Sequence, residues 1–401
     1  MVERCWFQGS RSLRRLYVVN DLKLSLEQLH EISEALKQKI AEGLAEENRE
    51  IACLPTYLEL PSGSQIGEAL VVDTGGTNMR AAVVRLEVND GHIEKGPIAA
   101  RVPDGRQGKA LLSDDFFGAQ AALSQGLRLE KQTLPLGYCF SYPARSETSG
   151  DAVLLKWTKG LNIDGVVGTK VGQALQRSLD QAGIQTGNLK VLNDTVASLI
   201  GGAHLNISPH FGSNYIGLIL GTGTNMAGVF RPSQLTKISA SKSMIVNLES
   251  GNFLSPHLTE FDDAVDSESN NPGAQKFEKA VSGHYLPYVF ERMFPESINP
   301  ENGTKQLVDI RESGQGQQAE AARLLLRRSA QMVAASLLAV DSFYEQDKCT
   351  AILGEGSLLW GDPLYAPLVR QTLGELSPDR KFELVRQRDN VNLLGAAAAT
   401  L

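Results

Sequence analysis

Apolar positions recur at helical spacing from residue 22 to residue 48. Leu22, Leu26, Leu29, Ile32, Leu36, Ile40 and Leu44 share one face and predict an amphipathic helix. Downstream the pattern changes. Residues 69–85 read as an apolar strand, the polar turn Asp73-Thr74-Gly75-Gly76-Thr77-Asn78, and a second apolar strand. Residues 215–230 repeat this order around Gly221-Thr222-Gly223-Thr224-Asn225-Met226. Thr77-Asn78-Met79 and Thr224-Asn225-Met226 therefore occupy equivalent places in two strand–turn–strand units. Further strands are predicted within 136–143, 152–157, 190–196, 243–251 and 350–357. Helices are predicted over 113–129, 166–182, 319–344 and 392–401, and within 261–284, which opens with acidic residues and continues as a helix after Asn271-Pro272-Gly273. Residues 89–96 read as a polar turn, and 295–316 as a surface loop or poorly ordered insertion. Strands that alternate with helices predict an α/β protein.

A chain of 401 residues is long enough for two domains with separate cores. The net charge of −7, with no basic stripe, argues against a nucleic-acid partner. It leaves open a local site for a small anion. Cys5, Cys53, Cys139 and Cys349 are widely spaced and form no C-x-x-C pair. This weakens zinc-ribbon and disulfide-framework readings and suits a reducing cytoplasm. The first residues lack the apolar segment of a signal peptide. Apolar runs such as 332–340 are too short to span a bilayer, so no membrane partner is expected.

The glycine turns carry the candidate chemistry. Gly75 and Gly76 permit positive φ and leave backbone N–H groups uncovered, which suits a phosphate chain. Asp73 stands at the mouth of the first turn, where a carboxylate can manage a cation. A lone turn of this kind is more often an ordinary hairpin. The repeat changes the weighing and points to two α/β domains facing each other across one nucleotide. Several strands end in a polar group: Ser141, Asp194, Asn225 and Glu249. With Thr158, Lys159, Asn193 and Glu278 they form a set suited to sugar hydroxyls, each of which needs a donor and an acceptor. Every member has a plainer alternative. Asp194 can cap the following helix, Lys159 can be a solvated loop charge, Glu278 can face solvent, and Ser141 can be a turn residue.

The chain resembles the eukaryotic-type hexokinases and glucokinases. The resemblance rests on eight ordered motifs: Leu54-Pro-Thr-Tyr57, Val72-Asp-Thr-Gly-Gly-Thr-Asn78 with Arg80, Phe140-Ser-Tyr-Pro143, Leu155-Lys-Trp-Thr-Lys-Gly160, Asn193-Asp-Thr195, Gly221-Thr-Gly-Thr-Asn225, Asn247-Leu-Glu249 and Asn271-Pro-Gly-Ala-Gln-Lys-Phe-Glu278. They span about residues 54–290, and Gly356-Ser357 continues the resemblance more weakly. It implies a two-domain actin-like ATPase (ribonuclease H-like) α/β fold with a cleft. Residues 66–195 plus 388–401 would form the small domain, and 1–65 plus 196–387 the large one.

The implied activity is ATP-dependent phosphorylation of a hexose, glucose first, at its 6-hydroxyl. Asp194 would be the general base, with Lys159 beside it as a catalytic group. Ser141, Thr158, Lys159, Asn193, Asn225, Glu249, Gln275 and Glu278 would contact the sugar. Gly75, Gly76, Thr77, Asn78, Arg80, Thr222, Gly283, His284, Gly356 and Ser357 would contact ATP. Asp73 would hold Mg²⁺ through water. The sequence departs from the family at Ser250, where Trp is usual, and at Glu355, where Asp is usual. The family's adenine contacts have no placement between Tyr288 and Ala319. Three other readings are a hexose sensor with little turnover, a bacterial repressor/kinase-type protein, and an actin-like filament protein. The second usually carries a cysteine-rich zinc loop that is not visible here. The third has no use for the sugar set.

Overall fold

The first apolar stripe forms the helix Leu26–Ala45, and Leu29, Ile32, Leu36, Ile40 and Leu44 on its inner face are buried. Its start is fixed by a reciprocal cap: Ser25 Oγ accepts from Gln28 N, and Gln28 Oε1 accepts from Ser25 N. The computed structural model describes residues 21–103, 111–129, 132–158 and 161–401. Lys159 and Gly160 of the expected sugar loop lie outside the described residues.

The strands, in chain order, are β1 (Leu54–Pro55), β2 (Gly67–Thr74), β3 (Asn78–Glu87), β4 (Asp90–Arg101), β5 (Leu134–Phe140), β6 (Ala144–Ser146), β7 (Ala152–Leu154), β8 (Thr186–Leu192), β9 (Tyr215–Leu220), β10 (Thr224–Phe230), β11 (Met244–Asn247), β12 (Thr350–Glu355) and β13 (Phe382–Arg386). The chain divides into two units. One runs to Ala52 and resumes over Leu218–Met226 and Ser250–Arg386. The other comprises Cys53–Gly217, Ala227–Glu249 and Gln387–Leu401. Residues 66–195 and 388–401 fall wholly in the second unit, which also takes 53–65, 196–217 and 227–249.

The second unit is built on a five-stranded sheet of order β4-β3-β2-β5-β8. β2 pairs antiparallel with β3 and parallel with β5, and β5 pairs parallel with β8. Asp73 thereby lies opposite Arg80 on one side and Cys139 on the other. The central strand β2 is apolar on both faces, as its position demands. Leu70, Val72, Leu136, Tyr138, Phe116 and Phe117 share one core. β1 pairs antiparallel with β11, which pairs with the end of β10. The helix Val391–Ala398 packs backbone to backbone on the helix Asp194–Asn206. Gly395 makes this approach possible, since a Cβ there would stand 1.8 Å from Ala197 O.

The first unit is dominated by the long helix Gly316–Asp341, buried along most of its length. β12 and β13 pair parallel. Three buried arginines are each matched to a carboxylate: Arg328 to Asp262 at 2.7 Å, Arg380 to Asp341 at 2.9 Å and Arg311 to Asp362 at 2.6 Å.

Several elements differ from expectation. The polar turn expected at 89–96 is confined to Val88 and Asn89, and residues from Asp90 onward form β4. β4 is an edge strand with one face in water, so its polar residues and Pro97 are tolerated there. The expected helix at 166–182 begins only at Val171, after a run of turns. The helix expected after Pro272-Gly273 is found at Lys276–Val281, but the acidic stretch before it forms a further helix, Glu260–Glu268. The expected loop at 295–316 contains the helix Lys305–Glu312, anchored by buried Leu307 and by Arg311 on Asp362. Its polar composition hid two inward-facing side chains.

Candidate active site

The first glycine turn is braced by charge. Asp73 ends β2 almost fully buried, with 6% of its surface exposed. Its Oδ2 accepts from Arg80 Nε at 2.9 Å and Nη2 at 2.5 Å, and from Asn392 Nδ2 at 3.3 Å. No nitrogen donor among the described residues reaches Oδ1. Gly75 N donates to Asn78 O at 3.0 Å, which closes the turn. Tyr142 Oη donates to Gly75 O at 2.7 Å, and Ser141 N donates to Thr74 O at 3.1 Å. Thr77 and Asn78 remain exposed at the tip. Burial pushes the Cys139 thiol well up, and the carboxylates of Asp73 and Asp194 and a hydrogen bond to Asp73 add to the shift. It stays a neutral thiol.

Gly75 itself does not adopt a left-handed φ, and neither do Gly221 and Gly223. The expected use of positive φ at Gly75 is thus not the reason for glycine. Its N–H and C=O are both engaged, by Asn78 O and Tyr142 Oη, so the uncovered N–H expected there is not found either.

β8 delivers Asn193 and Asp194 to the start of a helix, as expected. Asn193 is the cap, its side chain accepting from Thr195 N at 2.9 Å. Asp194 is the first helical residue. Its Oδ1 accepts from Thr195 N at 2.8 Å, and no described residue donates to Oδ2. The helix therefore has a cap without Asp194. The carboxylate is half-buried. Its place at a helix start also suits negative charge.

Thr158 follows Trp157, which is held by an aromatic cluster. Trp157 lies 4.8 Å from Tyr142 and 5.5 Å from Phe116, both edge-to-face, and its Nε1 donates to Ile163 O at 3.1 Å. Glu249 adopts φ 57°, a left-handed conformation uncommon outside glycine. Asn247 Nδ2 donates to its Oε1 at 2.8 Å.

The second turn lies in the other unit and is braced differently. Glu278 Oε2 accepts from Thr224 N at 2.9 Å. A Cβ on Gly223 would stand 2.4 Å from that same oxygen. Asn225 Oδ1 accepts from Met226 N at 2.8 Å and Ser250 N at 3.1 Å. Ser250, where the family usually has Trp, thus holds the side chain it neighbours. Gln275 has φ 53° and accepts from Asn271 Nδ2 at 2.8 Å. Lys279, on the same short helix as Glu278, is buried against Asp266 at 2.6 Å. Gly283 N donates to Gly221 O at 2.7 Å, and His284 N to Thr222 O at 3.2 Å. Gly356 lies against Leu220 and Gly221, and exposed Ser357 follows it. His284, Tyr285 and Tyr288 form an aromatic cluster, with His284 4.7 Å from Tyr285 and 5.4 Å from Tyr288. Burial and the Glu278 charge raise the Tyr285 phenol, and burial and Glu301 push Tyr288 up to about 12.

The structure thus brings Asp73, Gly75, Asn78, Arg80 and Ser141 together in one unit. It groups Thr222, Asn225, Glu278, Gly283, Gly356 and Ser357 in the other. Sequence reasoning missed Asn390 and Asn392, which meet Arg80, and Tyr142 as a brace of Gly75. Tyr142 sat inside a recognised motif. The asparagines had one available signal, a polar break before the Ala-rich helix. Thr304 was also missed; its Oγ1 donates to Gly283 O at 2.5 Å. Among the described residues no cluster of three or more His, Cys, Asp or Glu side chains could hold a metal ion. No helix among them is long and apolar enough to cross a membrane.

Two family models, both described as Hexokinase, match residues 17–204 and 215–318 in order. Hexokinase-1 of Nicotiana tabacum is 34% identical over 283 residues, covering 66% of this chain and 56% of the relative. Glucokinase of Aspergillus niger is 31% identical over 291 residues, covering 64% and 58%. The chain therefore spans little more than half the length of these curated relatives. The solved hexokinase from Schistosoma mansoni complexed with glucose superposes with a TM-score of 0.84 at 23% identity, over 98% of this chain and 99% of that one. A ROK family glucokinase from Streptomyces griseus in complex with glucose and AMPPNP reaches 0.52 at 18% identity, over 82% and 98%. The fold is the actin-like α/β fold of these kinases.

Proposed function

Because the chain belongs to the hexokinase family, we propose that it transfers the γ-phosphoryl group of ATP to the 6-hydroxyl of a hexose, glucose first. The observation that carries this reading is Asp194: a half-buried carboxylate at a helix start with one oxygen uncommitted and the helix capped by its neighbour. A sugar hydroxyl is a poor nucleophile until its proton is accepted. Asp194 Oδ2 takes that proton as the phosphoryl group arrives. Asn193, Ser141 and Thr158 contact the sugar, with Lys159, and Glu249, Glu278, Asn225 and Gln275 supply further contacts. Thr77, Asn78, Thr222, Gly283, His284 and Ser357 contact the nucleotide from the two turns and the segments packed on them. Glucose is placed first because the solved relatives named above hold it. Residues 66–195 with 388–401 act as the small domain and the remainder as the large one. The free cysteines Cys53, Cys139 and Cys349 suit the reducing cytoplasm.

Asp73 fits a magnesium role. Its Oδ2 is tied by Arg80 and Asn392, and no nitrogen among the described residues donates to its Oδ1, so the carboxylate keeps an acceptor position for a metal-bound water beside its bond from the Cys139 thiol. When bound, Mg²⁺ neutralises charge on the phosphate oxygens.

The test is ADP release by the purified chain with Mg-ATP across a panel of hexoses, run beside Asp194→Ala. Wild type should respond to glucose. The variant should lose at least about 100-fold in kcat. Its melting temperature should hold, because Asn193 still caps the helix. A wild-type chain that binds glucose but releases no ADP is a sensor. Near-normal turnover in Asp194→Ala removes that residue from the chemistry.

A further inference from the structure

We propose that Asn392 is a positioning residue that orients the Asp73 carboxylate for a metal-bound water, through a bridge from the C-terminal helix to the first glycine turn. This rests on the reading of Asp73 as the magnesium carboxylate. Asn392 is the second residue of the helix Val391–Ala398 and only 6% exposed. Its amide works in both directions. Oδ1 accepts from Arg80 Nη2 at 3.2 Å, and Nδ2 donates to Asp73 Oδ2 at 3.3 Å. Asn390 adds a second tie, its Oδ1 accepting from Arg80 Nη1 at 2.7 Å.

Three donors converge on Oδ2: Arg80 Nε, Arg80 Nη2 and Asn392 Nδ2. None of these nitrogens reaches Oδ1. Arg80 alone leaves a pivot, because a guanidinium that meets one carboxylate oxygen does not fix the plane of the carboxylate. The amide reaches the same oxygen from a different element and removes that freedom. Neither aspartate nor leucine can replace it: aspartate cannot donate to Asp73, and leucine can neither donate nor accept. The same Nδ2 lies 3.9 Å from the buried Cys139 Sγ, on the strand that flanks Asp73. Partners that orient a metal-binding carboxylate in this way belong to the site even though they never touch the ion.

The experiment measures Mn²⁺ binding to the full chain with ADP by water-proton relaxation. It compares wild type, Asn392→Ala, Asn390→Gly and Asp73→Asn, each with a thermal melt and a glucose titration. Glycine is chosen at 390 because that residue has φ 61°. Asn392→Ala should weaken Mn²⁺ binding by about tenfold, typical for loss of an outer partner. In turnover, its apparent KM for Mg²⁺ should rise while the KM for glucose stays put. Asn390→Gly should give a smaller shift in the same direction, which keeps the proposal testable if Asn392→Ala does not fold. Unchanged Mn²⁺ affinity in a folded Asn392→Ala overturns the proposal, as does unchanged affinity in Asn390→Gly when Asn392→Ala is unfolded. If Asp73→Asn also binds Mn²⁺ normally, the magnesium reading of Asp73 fails with it. If only Asp73→Asn is impaired, the metal reading stands and the positioning role falls.

Discussion

The two glycine turns read alike in sequence and are held by different chemistry. Around Gly75 the brace is ionic: a buried Asp73, an arginine from the next strand, and two asparagines more than 300 positions away, Asn390 and Asn392. Around Gly223 the brace is a neutral amide, a glutamate that accepts from the main chain, and backbone bonds to Gly283 and His284. Asn78 and Asn225 hold matching places in the repeat, yet Asn78 is exposed and Asn225 is tied to Ser250. A repeated pattern therefore marks a repeated backbone shape, not a repeated set of partners.

The sharpest way to break the comparison is Arg80→Ala. It leaves the buried Asp73 carboxylate without its ion pair, which costs roughly 3 kcal/mol, the low end for such a loss because Arg80 is partly in water. Chemical denaturation should show this loss, and a shift within error of wild type would mean the ionic brace is not what holds the first turn. Next come paired glycine substitutions. Gly223→Ala drives a methyl into Glu278 Oε2 and breaks its bond to Thr224 N, costing roughly 1–2 kcal/mol and raising the KM for glucose. Gly75→Ala meets nothing nearer than Asn78 O at 3.5 Å, so its stability should stay within about 0.5 kcal/mol of wild type. Equal losses in the two variants would erase the distinction.

The smallest expected effect is on pH dependence. Burial pushes the Asp266 carboxyl up, but the hydrogen bond from Lys279, the backbone of Gly273 and the charges of Lys279 and Lys276 hold it below its ordinary value. Its unfolded form protonates first as acid is added. The stability it contributes is complete above about pH 4, the ordinary carboxylate value, and is lost as pH falls through the lower folded value. Asp266→Asn should flatten that acid limb in urea titrations below pH 4. Because Lys279 and Glu278 share a helix, the acid limb should also loosen the second turn before the first.

Much of the fold was legible because its signals are local. The 26–45 helix, both hairpins and the delivery of Asp194 to a helix start follow from apolar periodicity and turn residues within short windows. β4 and the helix Lys305–Glu312 were not, because an edge strand and a short surface helix each need few apolar positions. The bracing partners were the least legible. Asp73 and Asn392 are separated by 319 positions, and nothing in either neighbourhood announces the other. Glu278 was picked out as a sugar ligand, but its bond to Thr224 N depends on a fold-level approach that periodicity cannot convey.

The close seat of the C-terminal helix bears on how the protein is made. A ribosome releases Asp73, Arg80 and Asp194 long before it releases residues 390–398. Until then, Arg80 has neither asparagine, and the face of the Asp194 helix that Gly395 closes on lies bare. The nascent chain thus carries its chemical groups early and their alignment only once residues 390–398 emerge, so translation that stops before residue 390 should yield a folded sheet with an untuned first turn.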